Sequence, residues 1–245
     1  MPYQSEAVVI PLEQEENPPP QQKKKVLNGI LTVPKEEKNY KLNSIVIFAH
    51  GSGSSGIKSP RNQYVAKVLN ESGYSTLLVD LLTVEEQKID NETHKLRFDI
   101  GLLASRVSAV TDWVLQKKHE QGGGISIDNV GYFGASTGAA ASLMAASDSV
   151  ANHKDKVKAI VSRGGRPDLA GSSSLKNVQA ATLLIVGGND MPTLAVNQKA
   201  LPQLKSAKEK TLVIVPGAGH LFEEKGTLEE AAKHASSWFE KHLRL

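Results

Sequence analysis

The chain has 245 residues, 29 Lys and Arg against 26 Asp and Glu for a net charge of +3, and 40% apolar side chains. That is ordinary globular composition, which excludes whole-chain disorder, collagen and coiled coil, and the charge excess is too small to argue for a nucleic acid or an anionic membrane as partner. There is no cysteine, so disulfides, thiolate metal sites and a cysteine nucleophile are excluded together.

The first residues, MPYQSEAVVIPLEQEENPPP, hold no basic segment leading into an apolar stretch, and nothing later has the apolar length of a membrane span. The expectation is a cytoplasmic protein of one domain. Short apolar runs rich in β-branched residues fall at 6–12, 26–33, 44–50, 75–80, 128–133, 157–163, 181–187 and 211–216. Most end in turn residues and lead into helical periodicity, the pattern of a mostly parallel sheet with helices on both faces. The first two runs are joined by a polar stretch with no helical stripe, which predicts an antiparallel hairpin at one edge.

Ser59 and Pro60 form a helix start, followed by Tyr64, Val65, Val68 and Leu69 at helical spacing. Phe98, Leu102, Val107, Val110 and Trp113 mark a longer amphipathic helix that should stop near Gly122–Gly124. Thr227 and Glu230 read as a capping box ahead of a buried stripe of Leu228, Ala231, Ala235, Trp238 and Phe239.

Two glycine-rich loops compete for the chemistry. Gly51, Gly53 and Gly56 make a literal GxGxxG after a strand, with Asp80 24 residues past Gly56, which matches the spacing of a dinucleotide site and makes an NAD(P)-dependent oxidoreductase the alternative reading. In that motif the helix starts within the glycines, yet Pro60 places the start later. Lys58 and Ser59 also imitate a phosphate-binding P-loop, but Ile57 intrudes between glycine and lysine.

The second loop, Gly134, Ala135, Ser136, Thr137, Gly138, follows a strand and opens a helix of small residues. GxSxG of this kind is the sharp strand-to-helix turn that holds a serine hydroxyl proud of a sheet. A serine hydroxyl needs a base to take its proton and a carboxylate to orient that base. Asp190 lies just past the strand at 181–187, and His220 just past the strand at 211–216, in the required order Ser, acid, His.

With HGSG at 50–53, GASTG at 134–138, GGND at 187–190 and GAGH at 217–220, the sequence resembles the α/β-hydrolase superfamily, and within it the dienelactone hydrolase-like branch. The stretches at 97–107 and 161–171 look like a subgroup of small hydrolases sometimes joined to phosphoribosyltransferase domains. Dienelactone hydrolases use cysteine where this chain has Ser136. That departure points away from the diene-lactone substrate and toward serine esterase chemistry. The resemblance implies an α/β-hydrolase fold with an eight-stranded sheet, cleaving small carboxylic esters or lactones through an acyl-serine intermediate without cofactor or metal. A non-catalytic ligand-binding relative is the third reading.

On this reading Ser136 attacks, His220 carries the proton and Asp190 orients the imidazole. The backbone amides of Thr137 and Ser52 meet the oxyanion. Asp168 is a rival acid, Arg163 and Arg166 could favour an anionic substrate group, and His50 is expected in a structural hydrogen bond. His234 and His242, in the last helix, are expected to be solvated or to face its dipole. The 17 residues between 163 and 181 are too few for a helical cap domain, so the site should be open.

Overall fold

The computed structural model describes residues 3–12, 25–34, 44–53, 56–116, 127–147, 153 and 155–243. Eight strands form one sheet: β1 (Tyr3–Pro11), β2 (Val26–Pro34), β3 (Ser44–Ala49), β4 (Ser75–Val79), β5 (Asn129–Ala135), β6 (Val157–Arg163), β7 (Ala181–Gly187) and β8 (Lys210–Val215), in spatial order β1-β2-β4-β3-β5-β6-β7-β8. β1 and β2 pair antiparallel, with Ile10 opposite Leu27, and β2 meets β4 antiparallel. Every later pairing is parallel.

Sequence decides which strands are central. β4, β5 and β7 are apolar almost throughout and buried along their length, as strands covered on both faces must be. β1 carries Gln4, Ser5 and Glu6 and leaves Val9 exposed, so it holds an edge. One face is covered by α1 (Pro60–Glu71) and α7 (Thr227–Leu243), which bury Val65, Leu69, Ala235 and Phe239 against Phe48, Phe133 and Val161. The other is covered by α3 (Ile100–Gln116) and α4 (Thr137–Ser147), with Leu103, Val107 and Val110 packed over Ile45, Ile47 and Tyr132. α5 (Gly171–Asn177) lies against α4, and α6 (Met191–Ala200) against β7.

The helix start at Ser59 and Pro60 is present, with the Ser59 hydroxyl accepting from the Asn62 amide. Two expectations need correction. Phe98 belongs to a 3-10 turn (Leu96–Phe98) ahead of α3 and is exposed, so the amphipathic helix begins two residues later. Thr227 is already helical and donates its hydroxyl back to the Glu224 carbonyl, so no capping box forms with Glu230. The capping box lies instead at Thr83 and Glu86, opening α2 (Val84–Thr93), a helix with so weak an apolar stripe that periodicity misses it. The stop predicted near Gly122–Gly124 falls outside the described residues. No helix among those described is long and apolar enough to cross a membrane.

One buried polar pair inside this frame is satisfied locally. Thr111 donates to the Val107 carbonyl, so the 2.8 Å contact with the Tyr132 hydroxyl must be donated by the tyrosine. Burial raises the phenol's pKa and keeps it protonated for that role. Tyr132→Phe should cost about 1–2 kcal/mol in urea denaturation, while adding Thr111→Val should cost less than the sum of the two single changes, because both polar partners are then gone.

Candidate active site

β3 is flanked by β4 on one side and β5 on the other, so the strand order reverses at the β3/β5 boundary. In open α/β sheets the crevice at the carboxyl ends of such neighbouring strands is where ligands bind. The two glycine-rich loops both leave the sheet there. They touch closely: a Cβ added at Gly51 would lie 2.9 Å from the Ser136 Cβ.

The turn from β5 to α4 explains the GxSxG spacing. Ser136 has φ of +50°, in the left-handed region that costs a residue with a side chain roughly 1–3 kcal/mol. A Cβ at Gly134 would fall 2.4 Å from the Ala139 Cα, and one at Gly138 would fall 2.2 Å from the Ala49 carbonyl oxygen. The helix can start this abruptly only because both positions lack side chains. The turn is fixed on its other side by β6, since the Ser136 amide donates to the Arg163 carbonyl at 3.3 Å and the Ser136 carbonyl accepts from the Arg166 amide at 3.1 Å.

Asp190 and His220 are brought together from the ends of β7 and β8. His220 Nδ1 lies 2.6 Å from Asp190 Oδ2. The Asp190 side chain is 10% exposed and that of His220 40%, so the carboxylate is sheltered and the imidazole edge reachable. Asp190 also caps α6, accepting a long 3.4 Å bond from the Thr193 amide. Its partial burial opposes ionisation, but hydrogen bonds from Thr193 and His220, with the imidazole's charge, outweigh this and hold the carboxyl below its ordinary value. His220 in turn lies against β6: a Cβ at Gly164, two strands away from β8, would sit 3.0 Å from the His220 carbonyl oxygen and 3.7 Å from its Cε1. Ser136, through its amide bond to Arg163, and His220, through Gly164, thus abut consecutive residues.

The rival residues are otherwise engaged. Asp168 is held by Arg166 through bonds of 2.7 and 2.9 Å, so neither is free for His220 or for a ligand. The Asp80 carboxylate accepts from the Ile57 amide at 3.1 Å, and α1 starts at Pro60, away from the glycines, which leaves this loop without the geometry of a dinucleotide site. His50 is in structural hydrogen bonds as expected: Nε2 accepts from the Leu81 amide at 3.1 Å, which fixes the proton on Nδ1 toward the Gly51 carbonyl. His234 lies 3.8 Å from Glu230, one helical turn away, with 40% of its side chain exposed. His242 is not solvated but buried against Trp238, and it stands in the last turn of α7, the dipole-facing arm of the expectation. Among the described residues no cluster of three or more His, Cys, Asp or Glu side chains is arranged to hold a metal ion.

Thr137, the first residue of α4, has an amide with no acceptor inside the helix. Ser52 sits across from it, and both line a polar cavity of about 470 Å³ walled by α2 and the loop after β3. Ser136, Asp190 and His220 do not line that cavity, which flanks their crevice on the side of Thr137. Sequence reasoning missed what holds this wall. Arg97 bonds the buried Asp90 carboxylate at 2.6 Å and reaches the Ser52 carbonyl at 3.5 Å, tying the loop to α2. Desolvation works against the Asp90 anion, but the Arg97 amide and guanidinium prevail and keep its pKa low. The Thr-x-x-Glu signature at Thr83 was the available signal for this helix.

An eight-stranded sheet of this order, with two loops meeting at its switch point and an acid–histidine pair past β7 and β8, defines an α/β-hydrolase fold. The sequence profile of the Dienelactone hydrolase family matches residues 27–244, and the chain belongs to that family. A crystal structure of dienelactone hydrolase from Anabaena variabilis is 49% identical, with a TM-score of 0.82 and 99% of each chain covered. Est1E from Butyrivibrio proteoclasticus shares the fold at 16% identity, with a TM-score of 0.71 over 96% of this chain and 98% of its own. A Mycobacterium tuberculosis protein with the provisional name phosphoribosyl transferase is 53% identical over 215 residues, 88% of this chain, but that match spans only 44% of the longer relative.

Two outcomes test this geometry. Gly138→Ala should lower stability by about 3 kcal/mol or more in chemical denaturation, whereas Gly53→Ala, where an added Cβ meets nothing within 4 Å, should stay within about 0.5 kcal/mol. Asp90→Asn should cost about 1–3 kcal/mol at pH 7. Because the folded pKa of Asp90 is depressed, its contribution is full above the ordinary value of 3.8 and is lost as pH falls through the folded value, so the deficit should shrink below about pH 4.

Proposed function

We propose that the protein is a serine hydrolase that cleaves small carboxylic esters or lactones through an acyl-enzyme intermediate. The observation that carries this reading is Ser136 held with positive φ at the β5–α4 turn, its amide on Arg163, with the next residue, Gly164, against the His220 that Asp190 holds. A serine accepts that backbone cost where the exposure of its hydroxyl is used. Family membership and the fold shared with Est1E agree with hydrolysis.

Ser136 Oγ attacks the carbonyl carbon while His220 Nε2 takes the hydroxyl proton, its Nδ1–H being held by Asp190. Asp190 fixes the tautomer and steadies the imidazolium without becoming protonated itself. The tetrahedral oxyanion is met by the Thr137 and Ser52 amides, at the start of α4 where the helix dipole favours negative charge. Collapse expels the alcohol with the proton from His220, leaving acyl-Ser136. Water, deprotonated by the same imidazole, then releases the acid and restores the serine.

The interval between β6 and β7 holds a 3-10 turn (Pro167–Ala170) and seven-residue α5 packed on α4, which supports an uncapped site open to small or flexible esters. The transferase named in the mycobacterial relative is assigned, on this reading, to the part of that longer protein outside the match. A soluble, cytoplasmic, single-domain enzyme without metal or cofactor is the setting proposed.

Turnover of a short p-nitrophenyl ester provides the test. Ser136→Ala should fold and lose roughly 10⁴-fold or more in kcat. Asp190→Asn should lose a comparable factor by presenting the wrong imidazole tautomer. Wild-type rates in either variant would overturn the assignment.

A further inference from the structure

The cavity of about 470 Å³ beside Thr137 takes no part in the acyl-transfer steps beyond the two amides at its edge. It nonetheless reaches the serine, since Gly51 lines it and a Cβ on Gly51 would lie 2.9 Å from the Ser136 Cβ. Thr137 lines it as well and is only 3% exposed. The Thr137 hydroxyl is buried with no hydrogen-bond partner among the described residues. A buried hydroxyl in that state carries a cost that a guest in the adjoining space would relieve by bonding it.

The rest of the lining is polar and of mixed sign. Asp80 has one oxygen on the Ile57 amide and is in no ion pair, and the exposed Lys58 and Lys88 meet no carboxylate among the described residues. Gln87 and Asn91 of α2 bond one another at 2.9 Å, which leaves the Gln87 carbonyl oxygen and the Asn91 amide nitrogen for a guest. An alkyl chain would strip water from these groups and return no bonds, and an anion would face the Asp80 carboxylate. A polyhydroxylated group suits both signs, because each hydroxyl donates once and accepts twice, and the volume is that of a small-molecule site. The sheet decides which arm of an ester enters. The cavity lies on the β3 and β4 side of Ser136, where Gly51, Ser52 and Asp80 follow those strands, whereas His220 abuts Gly164 on the β6 side. His220 hands its proton to the leaving alcohol, so the acyl arm is the one that faces the cavity.

We propose that this cavity binds the hydroxylated acyl arm of a polyhydroxy-acid ester or lactone, with the Thr137 hydroxyl and the Gln87 and Asn91 amides as specificity groups that touch substrate. The proposal rests on the serine hydrolase reading and names the substrate class of that same site. For a lactone, the bond from Ser136 Oγ to the acyl carbon forms, the ring C–O bond breaks, and His220 protonates the former ring oxygen. Water then releases the open polyhydroxy acid and restores the serine.

The test compares galactono-1,4-lactone with hexano-1,4-lactone, which share ring size and carbon number and differ in their hydroxyls, by acid release in a pH-stat. Wild type should favour the hydroxylated lactone by about a hundredfold in kcat/KM, since a site built to bond hydroxyls discriminates against the analogue that lacks them. Thr137→Val, nearly isosteric and keeping the backbone amide, should lower that ratio by about fivefold or more while Tm holds or rises. Gln87→Leu should lower it likewise, and carries the comparison if Thr137→Val does not fold. A merely structural role would slow both lactones alike and leave the ratio where it was, and that result in the folded variants would overturn the proposal. A wild-type ratio near unity, or one favouring hexano-1,4-lactone, with Ser136 still labelled by a fluorophosphonate, would overturn the subsite alone. Wild type that neither labels nor turns over any ester or lactone would instead overturn the reading beneath it.

Discussion

One steric constraint organises the molecule: the chain must pass from β5 into α4 within a single residue, and that residue is Ser136. The left-handed backbone at 136 is possible because Gly134 lets the end of β5 lie against Ala139 of α4 and Gly138 lets α4 press against the end of β3, both without a clash. The order of strands then matters. Because β3 neighbours β5, the loop after β3 lies against the serine, and because β6 follows on the other side, the residues that end it meet Ser136 at Arg163 and His220 at Gly164. The same contacts that cost conformational energy at the turn fix the place where the two glycine-rich loops meet.

The chain treats buried charge in two ways. Asp90 and Arg97 form a complete pair, with the carboxylate shielded and every contact directed at keeping α2 and the Ser52 loop in place. Asp190 and His220 are also paired, but the histidine keeps an exposed edge. Arg163 has no such partner. Pairing serves architecture in the first case and, on the proposed reading, leaves reactivity in the second. The third case departs from the rule that buried ions are accompanied.

Much of the fold was legible because strands of this class announce themselves. The runs that became β3 through β7 are mostly apolar and lead into turn residues such as Gly, Asp or His, so both their position and their parallel pairing could be read from pattern and turn chemistry. The order Ser136, Asp190, His220 was legible for a different reason: each follows a strand, and topology rather than sequence distance brings strand ends together. What escaped was held by side chains instead of periodicity. α2 has Glu, Gln, Lys, Asp and Asn along most of its length, so its apolar stripe is faint, and only its capping box marks it. The Thr227 box failed because two-residue signatures do not reveal where the helix starts; Gly226 at φ +84° and the bond to Glu224 set the end differently. The contrast between Arg166, paired with Asp168 in the loop past β6, and Arg163, which ends the strand against Phe222, is decided by packing rather than by pattern.

The central claim is that Ser136 is the nucleophile, and covalent capture reads it most directly. Treating the folded protein with a fluorophosphonate and mapping the adduct by peptide mass spectrometry should place the added mass on Ser136 alone, with none after heat denaturation. Modification of a different serine, or an unmodified chain that circular dichroism shows to be folded, would contradict the account.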